Sequence, residues 1–69
     1  FFLVSNPSAQ MATVTFRFLR ASGTPVEHVL QVQPGERRDV WVNADVPGVT
    51  GEFAAVVTST GAPVVVERS

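Results

Sequence analysis

Residues Ala12–Arg20 alternate without a fault: Ala12, Val14, Phe16 and Phe18 fall on one side, Thr13, Thr15 and Arg17 on the other. Side chains of an extended chain point to opposite faces in turn, so this period of two predicts a half-buried strand. The same reading gives five further strands. Phe1–Ser5 opens the chain. Val26–Gln33 turns Val26, Leu30 and Val32 inward, with His28 on their side and Glu27, Gln31 and Gln33 outside. Arg38–Asn43 turns Val40 and Val42 inward, Glu52–Ser59 offers Phe53, Ala55 and Val57 on one face, and Val64–Glu67 closes the set. The three consecutive valines 64–66 allow either register. The expected core is Val4, Val14, Phe16, Phe18, Leu30, Val32, Val40, Val42, Phe53, Val57 and Val65 or one of its neighbours.

Between these runs lie Asn6-Pro7-Ser8, Ser22-Gly23-Thr24-Pro25, Gln33-Pro34-Gly35-Glu36, Val46-Pro47-Gly48 and Gly61-Ala62-Pro63. Turn formers recurring about every eight to twelve residues are the mark of an all-β sandwich or barrel, and they leave no window for a long helix. Pro7 lacks an N–H and ends the first strand. Ser22-Gly23-Thr24 suits a tight hairpin. Pro34-Gly35 suits a type II turn, because Pro presets φ at the second position and Gly supplies a positive φ at the third. The link from Asn43 to Gly51 is too long for a hairpin. It is expected to cross between sheets, with a 3₁₀ turn at Ala44-Asp45-Val46, which would make the fold a small Greek-key β-sandwich of six to seven strands.

Composition narrows the setting. Sixty-nine residues allow one domain, here taken as 1–69. A chain of that size buries only about 60% of the surface its unfolded form exposes, and disulfides or metals often compensate. This one has no cysteine and a single histidine, but 45% of its residues are hydrophobic. A net charge of −1 creates no field for nucleic acid or an anionic membrane. No apolar stretch approaches the roughly 20 residues that span a bilayer. Lysine, isoleucine and tyrosine are absent, a bias that fits a GC-rich bacterial genome. The Phe-Phe-Leu-Val start reads as a segment of a longer protein.

The order of the motifs carries a resemblance. Leu3, Val4, Asn6 and Pro7 lead into Thr13–Phe16, then Gly23–Pro25, Pro34-Gly35 with Arg37, and Val40, Val42 and Asn43. Ala44, Asp45, Pro47 and Gly48 follow, and Pro63–Arg68 ends the series. Over almost its whole length the chain resembles a bacterial immunoglobulin-like repeat found in tandem in large surface or secreted proteins. The resemblance implies an immunoglobulin-like extracellular β-sandwich module with further repeats as neighbours. It carries over no catalytic residue and no cofactor.

Few residues offer chemistry. Trp41 lies between two inward valines and is expected to face outward. An exposed tryptophan on a β surface can stack on a sugar ring or anchor a partner, whereas a covering loop or a bulge would make it structural. Arg37 and Arg38 can hold an acidic polymer by paired hydrogen bonds, or be solvated residues at a strand start. Asn43, Asp45 and Asp39 supply too few oxygens for a calcium site, which wants six to eight; capping the 44–48 turn suits Asn43 or Asp45 better. His28 reads as a core-side or edge histidine, with no nucleophile or paired carboxylate placed for it. Glu27, Glu52 and Glu67 are candidates for cross-strand pairing with Arg17, Arg20 or Arg68. The expectation is a non-catalytic spacer or stalk repeat, with no metal or cofactor. The runner-up is a module binding cell-wall glycan or a protein partner through Trp41, Arg37 and Arg38. Self-association through edge strands, with Val64–Val66 as the edge, is a third.

Overall fold

A computed structural model of the chain describes residues 1–20, 23–42 and 53–68. Six strands are formed among the described residues: β1 (Phe2–Ser5), β2 (Ala12–Arg20), β3 (Val26–Val32), β4 (Arg37–Val40), β5 (Phe53–Thr60) and β6 (Val65–Arg68). They build two antiparallel three-stranded sheets, ordered β4-β1-β6 and β3-β2-β5. β1 and β2, the most regularly alternating segments, are the central strands, so each is covered on both edges. The expected crossing between Asn43 and Gly51, with its capping residues, and the pairing expected of Glu52 fall outside the described residues.

The inner faces of the sheets meet in one core. Phe2 and Val4 of β1 and Val40 of β4 pack with Ala12, Val14, Phe16 and Phe18 of β2 and Leu30 and Val32 of β3. The Phe2 ring lies 5.2 Å from Phe16 and 6.2 Å from Phe18, both tilted, and the Phe16 and Phe18 rings stack at 5.9 Å. Rings from both sheets thus interlock across the layer, the arrangement of a small β-sandwich. The alternation of β2 comes out as expected, with the four apolar positions fully buried and Arg17 outside, opposite Glu27 on β3. Phe53 and Val57, expected in the core, pack against it half-buried, because β5 lies at the edge of its sheet.

One expectation is settled and one needs correction. The core position left open between Val65 and its neighbours goes to the neighbours: Val65 is 51% exposed, while Val64 and Val66 pack against the core. Val66 pairs with buried Val4, and directly opposed residues share a face. Three valines in a row carry no period, so only that pairing sets the register. The fourth strand runs Arg37–Val40 rather than Arg38–Asn43, because its partner β1 begins at Phe2, opposite Val40. The alternation nevertheless continues beyond it, with Val40 and Val42 buried and Trp41 outside.

One buried polar residue ties the loops together. Asn6 is 1% exposed. Its Nδ2 donates to the carbonyls of Gln10 (2.7 Å) and Val32 (2.9 Å), and its Oδ1 accepts from the Ser8 amide (3.0 Å). Its backbone N–H donates to Glu36 O (3.0 Å), and its carbonyl accepts from Gly35 N (2.8 Å). That Gly35-Glu36 backbone belongs to the expected type II turn: Gly35 has φ +73° and Glu36 N closes onto Gln33 O at 3.0 Å. Asn6 therefore joins the β1–β2 loop, the end of β3 and the β3–β4 turn. Every polar atom is satisfied, as a buried amide requires.

Candidate functional site

β4 and the residue that follows it distribute the three residues singled out as contacts. Arg37, Asp39 and Trp41 lie outward, and Arg38 lies on the core-facing side with Val40, since it pairs directly with Val4. Arg37 and Trp41 share a face but stand four residues apart, about 13 Å of extended chain. The fold does not bring the three into one site.

Arg38 instead crosses the open rim between the sheets. It stands on edge strand β4, and its Nη1 donates to Gln31 O on edge strand β3 (3.2 Å). An inward position at the rim suits arginine, whose stem lies along apolar surface while the guanidinium reaches polar atoms beyond it. A groove of about 530 Å³ opens there, lined by His28, Leu30, Gln31, Gln33, Glu36 and Arg38 among others. His28 is half-buried on this edge strand, opposite Phe16, in keeping with the core-side edge position expected of it.

Trp41 belongs to the far end of the sandwich. Its ring stacks on Phe1 at 4.3 Å with 24° between planes, and the residue is 53% exposed. A cleft of about 270 Å³ lies beside the pair, lined by Phe1, Phe2, Trp41, Val42, Phe53 and Arg68. The Arg68 guanidinium sits 5.0 Å from the Phe53 ring centre and 5.6 Å from that of Phe2. Arg68 pairs with Phe2 across the β1–β6 ladder and so projects from the core-facing side. It covers the β6–β5 rim as Arg38 covers the β4–β3 rim. Sequence reasoning placed Trp41 outside but missed Phe1 and Arg68 as its companions. The signal for Arg68 was the β1–β6 register, which the run of valines hides, and that for Phe1 was the β1–β4 register, which sets Phe2 opposite Val40 and so brings Phe1 beside Trp41.

The cleft offers aromatic faces and one cation, a surface suited to flat, partly apolar groups. Among the described residues, no group of three or more His, Cys, Asp or Glu is placed to hold a metal ion. No helix among them is long and apolar enough to cross a membrane. No family model matches the chain, and no match was found among curated proteins or solved structures.

Proposed function

We propose that the chain is a non-catalytic structural repeat, an immunoglobulin-like Greek-key sandwich that acts as a spacer in a bacterial surface or secreted protein. Its partners on this reading are neighbouring repeats. The carrying observation is shape: the chain measures 38 × 19 × 15 Å along its principal axes, a short rod that adds reach along one direction. Two further observations support the reading. β4 pairs with β1 in one sheet while β2 and β3 pair in the other, a strand order that supports the Greek-key part of this reading without completing the pattern. Asn6 and Arg38 hold together elements of the fold itself. The test is small-angle scattering on one, two and three copies joined in tandem. The longest dimension should grow by a constant step per copy. A radius that stays near that of a compact globule of the same mass would refute the spacer reading.

The second reading is a module that binds cell-wall polysaccharide or a protein through Trp41, favoured by the exposed Phe1–Trp41 stack beside its cleft. Trp41 is the chain's single tryptophan and reports on itself. Purified wall polysaccharide should shift its emission if this reading holds. Emission unmoved at saturating polysaccharide removes the glycan form of the reading.

A further inference from the structure

The chain has one methionine and no cysteine, so Met11 carries its single sulfur atom. Met11 is 40% exposed and stands directly before buried Ala12. Ala12 pairs with Val32 at the end of the β2–β3 ladder. Met11 and Gln33 come one step beyond that pair, so they stand opposite each other on the outward face. The Gln33 Nε2 donates to the Met11 Sδ at 3.6 Å. Both backbones are fixed. The carbonyl of Gln10, just before Met11, accepts from the Asn6 side chain at 2.7 Å. Gln33 is closed into its turn by Glu36 N donating to Gln33 O at 3.0 Å and by Gln33 N donating to Glu36 Oε1 at 2.8 Å. This corner lies at the far end of the sandwich from Val42 and Phe53, which flank residues 43–52. Phe53 pairs with Arg20, and from Ala12 to Arg20 β2 runs about 27 Å.

We infer that Met11 is an oxidation site, converted by hydrogen peroxide to its sulfoxide, and that Gln33 holds the oxygen it gains. In the step a sulfur lone pair attacks one peroxide oxygen. An S–O bond forms and the O–O bond breaks. Sulfur gives up two electrons, and the departing hydroxide takes the proton of the transferred hydroxyl and leaves as water. Exposure opens the thioether to this attack. A thioether is a weak acceptor, and the contact with Gln33 is correspondingly long. The sulfoxide is polar and offers an oxygen acceptor in its place. The three rotatable bonds of the methionine stem let that oxygen turn to the Gln33 amide while both backbones stay where they are. In a core the same change would set a polar group among apolar side chains. Here it displaces nothing buried and gives Gln33 a better partner. The corner therefore accepts oxidation and is strengthened by it. This inference holds for a spacer and for a binding module alike.

Hydrogen peroxide is the probe. Mass spectrometry of the intact chain should show a single added oxygen, and peptide masses should place it on Met11. Met11→Leu, which keeps the volume, should abolish the addition. Urea unfolding followed by circular dichroism then compares the oxidised and reduced chains. The oxidised chain is expected to unfold at the higher midpoint. Gln33→Leu keeps both backbone bonds of the turn, and in it oxidation should no longer raise the midpoint. Should that variant fail to fold, Gln33→Glu removes the donor at the same length and repeats the comparison. Oxygen added elsewhere while Met11 stays reduced overturns the inference. So does a midpoint that oxidation lowers or leaves unchanged, or a rise that the Gln33 variants retain.

Discussion

Replacing Asn6 by alanine should remove a large share of the stability of this domain. The side chain makes three hydrogen bonds, at 2.7, 2.9 and 3.0 Å. Each contributes a net of about 0.5–1.5 kcal/mol. The loss leaves the Val32 carbonyl, whose bond to Asn6 is buried, without that donor, and a buried unsatisfied group costs about 1–3 kcal/mol. Part of that cost overlaps with the lost bond, so the expected change is about 3–4 kcal/mol. A chain of this size has on the order of 3–10 kcal/mol in total, at about 0.05–0.15 kcal/mol per residue. Urea unfolding followed by Trp41 fluorescence reads the change as a fall in midpoint at constant slope. Asn6→Asp sharpens the argument. It keeps an acceptor for the Ser8 amide but removes both donors and sets a carboxylate against two carbonyl oxygens. At neutral pH it should be more damaging than alanine. It should recover in part below about pH 4, where a protonated carboxyl can donate once. A loss under about 1 kcal/mol for Asn6→Ala would refute the view that this amide joins the loops.

Gly61 and Gly35 both hold positive φ, +86° and +73°, but differ in surroundings. A Cβ on Gly61 would lie 2.6 Å from the Met11 carbonyl oxygen, while one on Gly35 meets nothing within 4 Å. Gly35→Ala should therefore cost only the left-handed conformation, about 1–2 kcal/mol, and Gly61→Ala clearly more; thermal midpoints compare them, and equal losses would refute the steric argument. Phe16→Ala removes a fully buried ring between Phe2 and Phe18 and should cost about 3–5 kcal/mol, leaving little folded protein by circular dichroism. Trp41→Ala loses the Phe1 stack at a half-exposed position and should cost clearly less than Phe16→Ala by thermal denaturation, the ring pair itself contributing about 0.5–1.5 kcal/mol.

Much of this architecture was legible before any coordinates. The β2 alternation, the Pro34-Gly35 turn and the outward Trp41 follow from local rules: a period of two, a fixed proline φ and a glycine that tolerates positive φ. These depend on a few neighbouring residues, so the sequence displays them directly. What was illegible depends on register between distant strands. Val65 could be assigned inward because Val64-Val65-Val66 carries no period, and only the pairing of Val66 with Val4 decides it. Asn6 read as part of a turn, since nothing local shows that the Val32 carbonyl comes within 2.9 Å of its amide.

Arg38 and Arg68 show most clearly why the candidate site was harder to read than the fold. A charged residue on an amphipathic strand is ordinarily assigned to solvent, and from there a basic residue near a tryptophan becomes a ligand contact. Both arginines instead occupy core-side positions, paired with Val4 and Phe2. They are tolerated because β4 and β6 are edge strands, where an inward side chain needs only its stem length to leave the layer. At such a rim the alternation rule still gives the face but no longer the environment. Arg38 then joins Gln31 across one rim, and Arg68 rests on Phe2 and Phe53 at the other. The cation beside Trp41 is thus the arginine farthest from it in sequence among the three, and the two nearest belong elsewhere. Strand order, not spacing along the chain, decides which charges an exposed aromatic residue can share with a ligand.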